Sequence, residues 1–537
     1  MFKSPMSATR YLLIFLFAGW YFLSCSSELK EHRQTYYVSS EGNDQNSGLT
    51  FDQAWRTIDR VNAHVFSAGD SLLFRAGDEY SGKIILDSDD SGTLENRVVI
   101  SSYGSGKATI NGEDGAGCYA EACSFLTLTN LILYGAGRKT GNTSDGILLM
   151  NVKGAELTNL EVYGFQHSGI HVHKCQDISI THIHAHDNGF AGIHVSGSSI
   201  WDKRSYDNTE IYIAHCVAEN NPGDPTVLDN HSGNGILASS VRKGTIEYCE
   251  AFDNGWDMPW TGNGPVGIWI WDCTDFTIQH CISHHNRTNP SAKDGGGFDL
   301  DGGVSNSVIQ YCISFSNEGI GYGLFEFGAA KPWENNIVRY CLSYNDGILN
   351  DGSLGIWKNE EAGTLANCQI YNNTFYNSQP GKGNLWLYDN YPGIQFRNNV
   401  FIYNGSFLSD AKAIKDEVFE GNCYWDLNGD PSFLGFESLE VWAQSTGKEM
   451  NGGEFTGHFA DPLLSEFIWD PGIDPADLSP ETFKGLSPLY GSPLIDKGLD
   501  LTQMLKIDVG KRDLLGTEIP SGNNYDIGAI ELNISSQ

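Results

Sequence analysis

The stretch GGGFDLDGG, residues 295–303, sets Asp299 and Asp301 one residue apart, and EF at 326–327 adds Glu326 one repeat later. Clustered carboxyls suit glycosidic bond cleavage: a protonated one assists the leaving oxygen, and an ionised one activates water or attacks carbon. Crowding separates their protonation states, because like charges a few ångströms apart resist ionising together. Two carboxyls on one strand stand about 7 Å apart, which leaves room for water and inversion. Asp299 with Glu326, across neighbouring coils, would approach the shorter distance of a retaining pair; the sequence leaves both open. Asp272, after GIWIW, and Asp294, at the mouth of the glycine run, are further acids that read equally well as turn-capping residues.

Strand alternation decides what surrounds these acids. If Ile268, Ile270, Phe298 and Leu300 point into an apolar interior, then Trp269, Trp271, Asp299 and Asp301 point out. The same rule turns out His171, His173 and His194 before them, and Trp357, Trp386 and Tyr388 after them. Placing Phe325 and Phe327 inside puts Glu326 outside. An outward row of large aromatics fits the flat C–H faces of sugar rings, and predicts a carbohydrate groove. Alternatively, the loops 220–234 and 253–265 fold over the tryptophans and bury them. His171 and His194 read as contacts to sugar hydroxyls; no third ligand at suitable spacing makes a metal site of the His-x-His pair.

A repeat positions these residues. IAHCVAENN, IEYCEAFDNG, IQHCISHHN, IQYCISFSNEG and VRYCLSYNDG are variants of one unit, to which the cysteine-free ISITHIHAHDNG belongs. Each alternates with period two and ends at an asparagine (Asn188, Asn220, Asn254, Asn286, Asn317, Asn345) suited to a left-handed bend that bonds the next coil. A second short strand follows every bend. Strand, bend, strand and loop at a fixed period describe a solenoid. The expected fold is therefore an all-β, right-handed parallel β-helix over residues 37–430. An N-terminal cap with an amphipathic helix around Phe51–Val65 precedes it, and a capping and packing segment at 431–537 follows, with a helix near Phe436–Gly447.

Cys216, Cys249, Cys281, Cys312, Cys341 and Cys368 recur about every thirty residues, the spacing of stacked buried thiols. Cys118 and Cys123 alone suggest a local disulfide. The 537 residues carry a net charge of −34, which argues against a nucleic-acid partner. Lys3 and Arg10 precede the apolar run Tyr11–Leu23, too short to span a bilayer and suited to an export signal. Ser24-Cys25 resembles the lipidation box of bacterial lipoproteins. It implies a signal over residues 1–25, a linker at 26–36 and a lipid anchor at Cys25 in the cell envelope, with ordinary signal cleavage as the alternative; the chain is expected to be a monomer.

GGGFDLDGGVSNSVIQYCISFSN resembles the active-site coil of family 9 pectate lyases, in which a Gly-Phe-Lys-Leu-Gly-Gly run carries the catalytic lysine; here Asp299 holds that place. The whole chain resembles the secreted bacterial β-helix proteins that act on carbohydrates, among them lyases, hydrolases and epimerases. The paired acids favour a glycoside hydrolase working without a cofactor. A calcium-dependent polysaccharide lyase is the second expectation; Ca²⁺ would bridge an acidic sugar, and Lys358 or Arg339 would supply the base. A non-catalytic glycan-binding lipoprotein is the third.

Overall fold

The computed structural model describes residues 33–198, 205–328, 331–350, 352–411 and 414–532. The export and lipidation expectations, Cys25 included, fall outside them. The chain winds into a right-handed parallel β-helix. One wall is a sheet of twelve strands running from Ile84–Leu86 to Leu408–Ala411 in chain order, and the remaining coil strands form the other walls. Eight strands of the twelve-stranded sheet concern us: β1 (Ser168–His173), β2 (Ala191–Ser196), β3 (Asn234–Ser239), β4 (Val266–Trp271), β5 (Gly296–Leu300), β6 (Tyr322–Glu326), β7 (Leu354–Lys358) and β8 (Leu385–Leu387). Each pairs parallel with the next in unbroken register.

The interior is a column of aliphatic and aromatic side chains, with Ile268, Ile270, Phe298 and Leu300 fully inside. All eleven described cysteines are buried free thiols. Those of the repeat lie one per coil, and five of them, Cys216 to Cys341, each turn Sγ toward the carbonyl two residues earlier, at 3.2–3.3 Å. Cys118 and Cys123 belong to the same apolar core, so the disulfide expected between them is absent.

The bends use two consecutive residues for the two duties that the sequence reading gave to one. The first adopts the left-handed conformation, at Asp187, Asn220, Asp253, His285, Ser316 and Asn345. The second is buried and bonds onward: Asn188, Asn221, Asn254, Asn286 and Asn317 each donate Nδ2 to the next, at 2.8–3.1 Å, ending on the Asp346 carboxylate. Asn220 and Asn345 are therefore bend residues, and Asn221 and Asp346 carry the ladder. The glycines at the start of β4 and β5 follow from this ladder and from Ser283 and Ser314 beside it. A Cβ on Gly267 would lie 2.6 Å from Asn286 Nδ2, and one on Gly297 3.0 Å from Asn317 Nδ2.

The N-terminal helix is shorter than its pattern suggested, covering Ile58–Asn62 after a single turn at Phe51–Gln53. Between them Trp55 bridges Val38 as a strand residue, which stops the helix from extending back. The C-terminal helix Leu439–Thr446 runs from Ser438 to the left-handed Gly447 and packs Trp442 on Phe419 and Phe433. The rest of the C-terminal segment lies along the flank. Phe483, Leu486, Leu501, Leu514 and Ile530 cover Ile282, Ile313 and Leu342 on the outside of a coil wall.

Replacing Asn254 with leucine keeps the branched shape but orphans the buried N–H of Asn221 and the carbonyl of Ala218. We expect a loss of about 1–3 kcal/mol for each group left unpaired, seen as a lower urea and thermal midpoint. An unchanged midpoint would remove the ladder as the source of register.

Candidate active site

The register places the outward residues in two columns along the site sheet. One runs His171, His194, Leu237, Trp269, Asp299, Gly323, Gly355, Trp386. The other, two residues on, holds His173 and Ser196, then Ser239 and Trp271, and past the acids Phe325 and Trp357. Asp301 follows directly on β5 and donates its N–H to Ile270 at 2.9 Å, so it lies beside Trp271.

Four carboxyls gather at this point. Asp299 is only 3% exposed, and its Oδ1 has no hydrogen-bond partner among the described residues. It fits because its neighbour in the column is glycine; a Cβ on Gly323 would stand 2.9 Å from Asp299 Oδ1. Asp301 accepts the N–H of Gly302 at 2.7 Å. Asp294 sits in the left-handed conformation just before β5 and accepts the N–H of Gly264 at 2.8 Å, delivered by the 253–265 loop. Glu326 accepts the N–H of Gly303 at 3.0 Å.

Their titration follows from burial and crowding. Burial pushes Asp294 up to about 6. Burial, then the charges of Asp301 and Asp294, raise Asp299 well above the carboxylate range. Burial also raises Asp301 well above the carboxylate range, and Asp294 and Glu326 add to the rise while the Gly302 N–H opposes it. Asp294 and Asp301 are surrounded by protein yet keep accessible surface, as groups at the bottom of a cleft do. Asp299 lies beneath them.

Several expectations are corrected here. Glu326 occupies the inward register, because Tyr322 and Leu324 are the core residues of β6 and turn Phe325 outward. It meets the acid cluster from below, through the turn at Gly303. Phe327 lies outside as well, 6.5 Å from the Trp271 ring. Trp269 is only 4% exposed: Nε1 donates to Asn234 at 3.0 Å and His231 covers it, so the 220–234 loop buries it. Asp272 is the left-handed corner after β4 and pairs with buried Lys331 at 2.6 Å, away from the cleft. Burial still leaves its carboxyl raised, with Lys331 pulling the other way. Arg339 belongs to another wall and donates to Asp508 O in the C-terminal segment.

Beyond the acids, in the direction of later coils, Phe325, Trp357, Trp386 and Tyr388 form one partly exposed patch with ring centroids 6.1–6.4 Å apart, and Tyr388 is 46% exposed. Before the acids, His194 stacks on His171 at 4.5 Å, and burial among His171, His231 and His173 pushes His194 well below the imidazole range. His167 bonds Asp224 at 2.6 Å and is raised by it. Asp294 is the acid that sequence reasoning undervalued; its only signal was a carboxyl at the entry of a glycine run that must bend sharply. Among the described residues, no three His, Cys, Asp or Glu side chains converge to hold a metal ion.

The model of a family described as the Pel9A-like right-handed β-helix region matches residues 36–337. A curated relative, a lacto-N-biosidase of Bifidobacterium longum subsp. longum, is 30% identical over 621 residues, covering 94% of this chain and 36% of that protein. The chain thus spans little more than a third of the relative's length. Solved structures with this winding include the GH136 lacto-N-biosidase from Eubacterium ramulus, at 19% identity and TM-score 0.49 over 73% of this chain and 68% of that one. Pectate lyase Pel9A aligns at 16% identity and TM-score 0.43 over 93% and 96%.

The Asp272–Lys331 pair gives a check on which acids belong to the cleft. Asp272→Ala strands a buried ammonium and should cost about 3–5 kcal/mol, whereas Asp272→Leu with Lys331→Met should recover most of that. The double variant should also keep its substrate turnover; loss of turnover in a stable double variant would return Asp272 to the catalytic set.

Proposed function

Because the chain belongs to the Pel9A-like right-handed β-helix family, whose scaffold does not by itself fix a reaction, we propose from the site that it is an oligosaccharide-cleaving glycoside hydrolase. The observation that carries this reading is the pairing of two accessible, differently held carboxyls, Asp294 and Asp301, above a third that is buried. Asp301, raised well above the carboxylate range by burial and by Asp294 and Glu326, is the general acid that donates to the leaving oxygen. Asp294 is the ionised partner, since it is raised only to about 6 and the Gly264 N–H stabilises its charge. It attacks the anomeric carbon or activates water. Asp299 stays protonated beneath them, because a third charge in the same enclosed volume is the costliest to create.

The aromatic patch from Phe325 to Tyr388 supplies a stacking floor for sugar rings on one side of the acids. The lacto-N-biosidase relative makes that activity the first to assay. The lyase alternative needs a base near a uronate, and the position its resemblance assigns to lysine is Asp299. Of the two bases the sequence offered, Arg339 faces another wall, while Lys358 ends β7 in register with Glu326 and is the residue a lyase would have to use.

Incubation with lacto-N-biose aryl glycosides and with a panel of oligosaccharides and polysaccharides, read by new reducing ends and by ultraviolet absorbance, tests the proposal. Reducing ends without an unsaturated product support it; an unsaturated product shows a lyase, and binding without either shows a glycan-binding protein. Asp294→Asn and Asp301→Asn should each lower turnover of natural glycosides about 10²–10⁴-fold. On an aryl glycoside with a good leaving group Asp301→Asn should regain most of its rate while Asp294→Asn should not.

A carboxyl that must be ionised is active above its pKa, so kcat/KM should fall as pH drops through about 6, and Asp294→Asn should abolish that limb. A limb that persists in the variant would assign the ionised partner elsewhere.

A further inference from the structure

Three coil steps before Asp301, on the same outward face, a second group of side chains forms an Asp–His–Ser relay. His171 Nδ1 lies 3.1 Å from Asp145 Oδ2, and His171 Nε2 lies 2.8 Å from Ser196 Oγ. The carboxylate is itself pinned, since Asp145 Oδ1 accepts the N–H of Ser168 at 2.8 Å. His171 is held on its face by stacking against His194. His173 Nδ1 also lies 2.8 Å from Ser196 Oγ.

With Asp145 ionised and both imidazoles neutral, one placement of protons satisfies all of these contacts. Asp145 takes Nδ1–H of His171, which leaves Nε2 bare to accept the Ser196 O–H, and the serine oxygen accepts Nδ1–H from His173. This is the orientation in which an imidazole takes a proton from a serine while a carboxylate stabilises the imidazolium that forms. The three side chains come from separate coils, since Ser196 and His171 are on β2 and β1 and Asp145 is in the turn before Ile147–Met150. His171 and Ser196 keep accessible surface, so an acyl group can reach them.

We propose that Asp145, His171 and Ser196 form a second hydrolytic site that cleaves carboxylic esters of short acyl groups, with an O-acylated sugar as the natural class because the site shares its sheet face with the acid cluster. Ser196 Oγ bonds to the acyl carbon as its proton passes to His171 Nε2. Collapse of the tetrahedral adduct breaks the ester C–O bond, and the departing sugar oxygen takes that proton. Water then adds to the acyl-serine with its proton going to His171, and the carboxylic acid leaves as Ser196 recovers its hydrogen. The Lys174 backbone N–H bonds Ser196 O at 3.2 Å and ties the end of β2 to the turn after β1.

The test uses the full chain with a fluorophosphonate probe and with p-nitrophenyl acetate. The wild type should take up one probe, located on Ser196 by peptide mapping, and Ser196→Ala should take up none. Ester turnover should fall about 10²–10⁴-fold in Ser196→Ala and His171→Ala and less in Asp145→Asn. Mapping on the wild type keeps the test sound if a variant fails to fold. No adduct, an adduct on another residue, or equal turnover in wild type and Ser196→Ala would overturn the proposal.

Discussion

The spacing between coils governs this molecule. Parallel strands stack about 4.8 Å apart, and every buried polar group at a bend must find its partner in the coil above or below. The ladder from Asn188 to Asp346 meets that demand with a chain of side-chain amides, each both donor and acceptor. It ends on a carboxyl raised to about 6, chiefly by burial. An amide ladder tolerates no slip of one residue, because a slip would leave donors facing donors. Register in the site sheet is thus inherited from the opposite side of a bend, and the glycines at 267 and 297 are the clearance this geometry requires.

Much of this was legible in the sequence because β-helices repeat their instructions. Period-two alternation assigned Phe298 and Leu300 to the interior, and the facing of Asp299 and Asp301 follows from it. The reading failed where alternation runs out. β6 opens with Tyr322-Gly-Leu324, and an aromatic residue on either side of glycine satisfies the pattern; the choice fell to packing, since the Tyr322 ring stacks on Phe298 at 5.3 Å. That choice reversed Phe325 and Glu326. The burial of Trp269 and the approach of Gly264 to Asp294 depend on loops whose sequences carry no period at all.

The acid cluster is an electrostatic cost that the fold accepts. A chain of net charge −34 adds Asp294, Asp299 and Asp301, with Glu326 below them, to one enclosed corner, where like charges raise one another's proton affinity. Two of the three aspartates are met by fixed dipoles, the N–H groups of Gly264 and Gly302, from a loop and from a turn. These two acids are also the accessible ones. The third, Asp299, receives no such donor and lies deepest. A site arranged for stability alone would have neutralised the corner with a cation, as Lys331 does for Asp272 only a coil away.

That contrast bears on how one scaffold carries different reactions. An outward position in the middle of β5 is fixed by the coil, whatever residue fills it. A lysine there, as in the resembled lyase coil, would place an amine against the substrate and neutralise Asp301. An aspartate there withholds that compensation and is itself held protonated by burial and by the charges of Asp301 and Asp294. The same backbone address thus sets whether the corner removes protons or donates them. Gly323 is the companion requirement, since any side chain beside Asp299 would displace its carboxyl from beneath Asp294 and Asp301.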